Sequence, residues 1–185
     1  MPDIPLFFET HATSLDNEAG LASGWYDVDL SPRGETQAHE LGERYRHREL
    51  AVVFCSDLRR AYRTAEIAFA RRAVPIVRDA RLRECHYGSL TRGPAAAIEA
   101  ARTRAIATPF PDGESYEDVS ARVSACLADI ARAYAEPVLV VGHRATFYAL
   151  EHLLRRVPLA DTIAAAWKWQ PGWRYELPPD VSAKT

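Results

Sequence analysis

The chain has 185 residues, 48% of them hydrophobic and 26% charged, with 23 basic and 25 acidic side chains and a net charge of −2. That length suits a single domain (residues 1–185), and a chain of this size buries roughly 70% of the surface its unfolded form exposes. The balanced charge argues against nucleic acid or an anionic membrane as the main partner, and no apolar run is long enough to cross a bilayer.

The first segment, residues 4–9, is a short apolar run that gives way to the polar stretch 10–17, which reads as a buried strand followed by a loop. It lacks the length and basic flank of a secretory signal, so a cytoplasmic protein is expected. Residues 35–48 place Ala38, Leu41, Gly42 and Tyr45 at helical spacing, just after Pro32 and Gly34. A second apolar strand over 51–57 runs into Ser56 and Asp57, either of which can cap the helix expected over 59–72. Residues 74–79 form a third strand. The connection 88–112 carries one short helix (95–105), and Ser115 opens a long helix reaching Tyr134, with acids in its first turn. The run 137–143 is the most strand-like in the chain, and a helix over 145–156 follows it. The tail, 162–177, reads as two strands around Gln170-Pro171-Gly172, with Trp167, Trp169, Trp173 and Tyr175 packing on the sheet edge. Cys55, Cys85 and Cys126 form no CxxC pair and share no metal-ligand spacing with histidines, so they read as reduced thiols. Strands alternating with helices imply a three-layer α/β/α sandwich with a central, mostly parallel sheet.

In such a sheet, ligands gather outside the carboxyl ends of the strands. The first strand ends at His11, the second runs into Ser56 and then Arg60, the fourth ends at His143, and Glu84 follows the third by a few residues. A neutral imidazole can attack phosphorus and form a covalent phosphohistidine. A guanidinium suits the charge on the equatorial oxygens. A carboxyl group with a raised pKa can protonate the leaving oxygen. Taken singly, each has a plainer reading: a hydrogen-bonded histidine, a solvated helix arginine, a surface carboxylate. Their arrival at one sheet edge is what points to phosphoryl transfer.

Ordered segments carry a second signal: Thr10-His11-Ala12-Thr13-Ser14-Leu15-Asp16-Asn17, then Ser23-Gly24-Trp25-Tyr26-Asp27, then Ser56-Asp57-Leu58-Arg59-Arg60-Ala61-Tyr62-Arg63-Thr64-Ala65. Leu82-Arg83-Glu84-Cys85-His86-Tyr87-Gly88, Gly113-Glu114-Ser115 and the strand before His143 continue the series. Over about residues 4–155 these resemble the motifs of the histidine phosphatase superfamily, the group that includes the cofactor-dependent phosphoglycerate mutases. The resemblance implies a phosphoglycerate mutase-like fold, with His11 as nucleophile and Glu84 as general acid. It further implies that Arg60 and His143 hold the equatorial oxygens, helped by Ser14 and Asn17, with Ser23, Gly24 and Tyr87 among the substrate-binding positions.

The chain departs from the family pattern at several points. Thr10 stands where the family has an arginine before the nucleophile, which removes a charge from the phosphoryl site. Ala12 and Arg144 stand where glycines are usual, and Arg144 is read either as facing solvent at a helix start or as partly replacing the charge missing at Thr10. Cys85 replaces an arginine that in the mutases anchors a second anionic group, and the cover over 88–113 is short. The resemblance therefore implies a phosphomonoester hydrolase on a small phosphorylated metabolite, working through phosphohistidine without metal or cofactor. Two alternatives remain: a mutase-like phosphotransferase, supported by the Gly24-Trp25 match, and a phosphate-ligand-binding protein with weak or no catalysis, supported by Thr10. A homodimer through an exposed sheet edge is left open.

Overall fold

The computed structural model describes residues 2–181. Five strands form one sheet: β1 (Ile4–Thr10), β2 (Val52–Cys55), β3 (Ile76–Arg78), β4 (Val138–Gly142) and β5 (Trp173–Leu177), in the order β3-β2-β4-β1-β5. All neighbours are parallel except β5, which runs antiparallel along the outer side of β1. β4 lies at the centre and is buried along its whole length, as a strand covered on both faces must be. Val140 is in register with Phe8 on one side and Phe54 on the other.

Successive side chains point to opposite faces, and the two faces hold separate cores. Leu6, Phe8, Val138 and Val140 face α5 (Tyr116–Ala133) and α6 (Arg144–Arg155). Phe7, Val53, Leu139 and Val141 face α2 (Pro32–Tyr45) and α3 (Arg59–Phe69). Shorter helices α1 (Leu15–Glu18), α4 (Ala95–Ala101) and α7 (Leu159–Ala164) lie in the connections. The expected three-layer α/β/α sandwich with a mostly parallel sheet is the observed fold. Among the described residues, no helix is long and apolar enough to cross a membrane.

Local chemistry explains most element starts. Ser31 caps α2 by accepting from the Gly34 amide at 3.2 Å, with Pro32 at the first helical position. Ser115 and Asp118 form a reciprocal capping box on α5. Gly34 is required by a close approach: a Cβ there would lie 2.0 Å from the Thr13 carbonyl oxygen, so only glycine lets α2 press against the loop after β1.

Two sequence expectations fail. Neither Ser56 nor Asp57 caps α3; Leu58 takes the N-cap position without a side-chain bond. Asp57 is committed elsewhere, accepting two bonds from Arg83 at 2.7 and 2.6 Å, and a bidentate charged pair outcompetes a single cap. The tail is not a hairpin. α7 takes in its first residues, 167–171 are irregular, and only Trp173–Leu177 pairs with β1. α7 runs to Ala164, and β1 has a single free side to offer, which Trp173–Leu177 takes. Trp173 and Tyr175 do pack into the core as the alternation requires, whereas Trp169 remains 61% exposed.

Candidate active site

The carboxyl ends of β1, β4 and β2 lie side by side, and backbone bonds extend their pairing into the loops. The His11 amide donates to the Gly142 carbonyl at 2.9 Å, and the Ser56 amide to the Val141 carbonyl at 3.1 Å. His11 and His143 are thereby brought together, with ring centroids 5.0 Å apart. His143 caps α6 from its backbone, donating to Thr146 Oγ1 at 3.1 Å, while Thr146 donates to the Leu82 carbonyl at 3.1 Å. The second histidine is thus tied to the segment that carries Glu84.

Two bonds orient His11. Its Nδ1 lies 2.7 Å from its neighbour's carbonyl, Ala12 O, and Arg60 Nε donates to its Nε2 at 3.3 Å. Together they assign the tautomer: the proton sits on Nδ1 and the lone pair on Nε2. Arg60 is buried and held by the Tyr26 and Gly24 carbonyls, at 3.1 and 2.8 Å from its two terminal nitrogens. Gly24 adopts φ +52°, a left-handed turn that suits glycine and aims its carbonyl at the guanidinium. Thr64, one turn along α3, ties this helix to the nucleophile loop. Its hydroxyl donates to the Arg60 carbonyl at 2.6 Å and accepts from the Ala12 amide at 3.0 Å.

Charge is distributed as phosphoryl transfer requires. Desolvation, reinforced by the Arg60 guanidinium, lowers the His11 pKa to about 3, against a weaker opposing effect of its bond to Ala12. Burial and Arg60 hold His143 well below the ordinary histidine value too. Both rings are neutral at physiological pH. His143 is fully buried, yet both its ring nitrogens lack a partner, an arrangement that ordinary cores avoid. Burial raises the Glu84 carboxyl, and the Cys85 and Ala145 amides, donating to Oε1 at 2.8 and 3.2 Å, only partly offset this.

His11, Arg60 and Glu84 open into a cavity of about 250 Å³ that Thr10, Tyr87 and Arg144 also line, with Asn17, Ser23 and Gly24 along one wall. A second cavity of about 540 Å³ shares Thr10, His11, Asn17 and Trp169 and extends toward α2. A model of the histidine phosphatase superfamily (branch 1) matches residues 6–169. The chain belongs to that superfamily. Among histidine phosphatase relatives, it is 33% identical over 193 residues to the glucosyl-3-phosphoglycerate phosphatase of Mycobacterium tuberculosis, covering 90% of this chain and 86% of that protein. The structure of the mycobacterial enzyme with VO3 superposes with a TM-score of 0.78 at 32% identity, covering 88% of this chain and 87% of the other. A 2,3-bisphosphoglycerate-dependent phosphoglycerate mutase of Corynebacterium kroppenstedtii is 44% identical, but over 85 residues only, 43% of this chain and 34% of the mutase. Family and relatives together support an enzyme that hydrolyses phosphate esters.

Of the residues singled out in the sequence, this histidine phosphatase fold brings His11, Arg60, Glu84, His143, Thr10, Asn17, Ser23, Gly24, Tyr87 and Arg144 to one place. Ser14 is not among them. It is fully buried, and its hydroxyl accepts from the Asn17 amide at 3.2 Å, capping α1. Ser23 lines the cavity, but its hydroxyl already donates to Asp16 at 3.0 Å. Trp25, which suggested a mutase, serves the general-acid segment: its Nε1 donates to the Glu84 carbonyl at 2.7 Å.

Sequence reasoning missed Arg122. From the middle of α5 it donates to the carbonyls of Arg81, Arg83 and Glu84 at 2.7–2.9 Å and pairs with Glu114. A buried-facing arginine on an otherwise apolar helix stripe was the available signal. It also missed Glu99, which lines the outer part of the cavity with Trp167 and Trp169, two rings that the sequence reading assigns to sheet-edge packing rather than to a wall for substrate.

Proposed function

We propose that the protein is a phosphomonoester hydrolase that works through a phosphohistidine on a small phosphorylated metabolite. The observation that carries this reading is the pairing of a neutral His11, its Nε2 lone pair facing Arg60, with a buried His143 whose ring nitrogens have no partner. An entering phosphoryl group takes over the Arg60 Nε donor and accepts from the one N–H of neutral His143, and Nε2 of His11 then attacks phosphorus. Glu84 keeps Oε1 on two backbone amides, which leaves Oε2 to carry the proton that the leaving oxygen takes. The resulting carboxylate then accepts a proton from water as it attacks the phosphohistidine, returning His11 and inorganic phosphate.

Thr10 and Asn17 supply neutral donors beside the phosphoryl group, while Gly24, Tyr87 and Arg144 line the space for the rest of the substrate. With a hydroxyl in place of a guanidinium at position 10, turnover is slower than with arginine there, by on the order of 10²-fold. The test is single-turnover reaction with a 32P-labelled ester followed by alkaline quench. Wild-type protein accumulates an acid-labile, base-stable phosphoenzyme and turns over an aryl phosphate; His11→Ala does neither, with activity down on the order of 10⁴-fold or more. Wild-type activity no higher than the background of the His11→Ala protein overturns the hydrolase reading and leaves a phosphate-binding protein.

A further inference from the structure

Residues 83–87, which carry Glu84, belong to neither helix nor strand, so no ladder of backbone bonds fixes where the carboxyl stands. Their main-chain groups must find partners elsewhere, and α5 supplies them. Arg122 donates through Nη1 to the carbonyls of Arg81 and Arg83 at 2.7 and 2.8 Å, and through Nη2 to that of Glu84 at 2.9 Å. Its remaining N–H groups reach Glu114, Nε to Oε1 at 2.9 Å and Nη2 to Oε2 at 3.0 Å. All five donors of the guanidinium are thereby used.

Glu114 closes the frame. Its Oε2 accepts from the His86 amide at 2.9 Å, and its own amide donates to the His86 carbonyl at 2.9 Å. The Glu84 carbonyl takes a second bond, from Trp25 Nε1 at 2.7 Å. The chain is thus clamped before, at and after Glu84. Arg122 and Glu114 are only 15% and 19% exposed, which spares the pair the screening that weakens surface pairs. The inner face of α5 is otherwise largely apolar, with Val119, Val123, Cys126, Leu127 and Ile130. A guanidinium facing inward there is expensive to desolvate, and packing alone would be served by another aliphatic side chain.

Resting on the phosphatase reading, we infer that Arg122 is a positioning residue for the general acid, holding the main chain of Glu84 so that its carboxyl meets the leaving oxygen. It lines neither cavity, so it acts through Glu84 and not on the substrate. The Cys85 amide that holds Oε1 belongs to the clamped segment, and a shift of that segment carries the carboxyl with it. Proton transfer depends on geometry, and a displacement of about 1 Å costs on the order of 10²-fold. The charge of Arg122 has a second effect, of definite sign. Burial raises the Glu84 pKa, and the Cys85 amide, Arg60, the Ala145 amide and Arg122 each draw it part of the way back. Without the Arg122 charge the carboxyl keeps its proton to higher pH.

The experiment measures kcat and KM across pH for wild type, Arg122→Gln and Arg122→Lys, with glycerol 3-phosphate and 4-nitrophenyl phosphate, alongside thermal melts. Arg122→Gln lowers kcat for glycerol 3-phosphate about 10–100-fold, with KM within a few fold of wild type. The nitrophenyl ester, whose leaving group needs little protonation, loses no more than a few fold. The alkaline limb that belongs to Glu84 moves to higher pH. Arg122→Lys keeps the charge and three donors, so it restores the limb and recovers part of the lost kcat. In a Glu84→Gln background, Arg122→Gln changes the glycerol ester rate by less than about twofold, because the group it positions is gone. Should Arg122→Gln melt below the assay temperature, Glu114→Gln carries the comparison. It breaks the ion pair yet keeps an oxygen for the His86 amide, and shows the same contrast between esters at smaller size. Equal losses on both esters, an unmoved limb, or full additivity with Glu84→Gln overturns the inference and leaves the phosphatase reading intact. No phosphoenzyme, and no turnover of either ester above the His11→Ala background, overturns both.

Discussion

The floor of the cavity and its rim are built on different terms. On the floor, Arg60, Glu84 and His143 are buried and His11 is partly so, and each is fixed by backbone: His11 by the Ala12 carbonyl, Arg60 by two carbonyls, Glu84 by two amides, His143 by its place at the head of α6. At the rim, Arg144, Glu99 and Arg102 are held by one another and by aromatic rings, with Glu99 half in solvent. Backbone partners move only if strands move, so the floor is preorganised and its charges act in a desolvated setting where each is worth more. Side-chain pairs near solvent exchange partners cheaply. On the proposed function, chemistry belongs to the floor and selection to the rim, and substitutions should separate accordingly.

After His11 itself, the largest effect belongs to Glu84. Glu84→Gln removes the acid proton, so hydrolysis of an alkyl phosphate falls about 10²–10⁴-fold. An aryl phosphate, whose leaving group needs little protonation, loses far less, and that contrast in the measured rates identifies an acid. The pH dependence has a definite sign. Burial raises the Glu84 pKa, so the acid form persists above the usual carboxylate range and activity is lost as pH rises through that raised value. His11, at about 3, adds no acid limb at ordinary pH because it stays neutral down to that point. Any limb near the substrate's own second ionisation, at about pH 6, is shared by wild type and variant, whereas the Glu84 limb is absent from Glu84→Gln. A limb that survives the substitution removes Glu84 from the acid role.

Thr10 tests whether the floor is short of charge. Its side chain faces both cavities, so an arginine has room there. Thr10→Arg is expected to raise kcat/KM about tenfold or more with any phosphomonoester. An unchanged rate would mean that Arg144 already neutralises the phosphoryl group, and would move Arg144 from the rim to the floor.

The same division separates what could be read in the sequence from what could not. The floor was legible because His11 and His143 directly follow strands that apolar runs reveal, as Val138–Gly142 does before His143, while Arg60 and Glu84 come a few residues after β2 and β3. Parallel strands place such ends at one edge whatever the loops do. Caps were read correctly where the side chain had no better partner, as at Ser115, and wrongly at Asp57, whose pairing with Arg83 depends on a segment 26 residues away. The rim was illegible for a similar reason. Nothing in the spacing of Glu99, Arg102, Arg144 and Trp167 brings α4, α6 and the tail together, and the alternating aromatics of the tail imitated a hairpin although only Trp173–Leu177 finds a partner, on the free side of β1. Ser14 shows the converse: a motif position that faces the right loop but turns its hydroxyl to a helix end.

The smallest expected effects lie within the rim itself, between two tryptophans two residues apart. Trp167 packs on Phe147 and Trp173, with centroids 5.2 and 5.8 Å away, and carries Arg144 on its face. Trp169 is 61% exposed and touches both cavities. Trp167→Ala should therefore lower stability by on the order of 2 kcal/mol and release Arg144 from its stacked position. Trp169→Ala should leave stability within about 0.5 kcal/mol of wild type, since it removes no packed neighbour. Its effect should appear as a change of a few fold in KM with kcat preserved, because the ring can cover bound substrate but lies away from the groups that move protons. Thermal melts and steady-state kinetics on the two variants read these quantities directly. A loss of kcat in Trp169→Ala comparable to that of Glu84→Gln would show that the rim takes part in the chemical step, and the division between floor and rim would fail at a residue that borders both cavities.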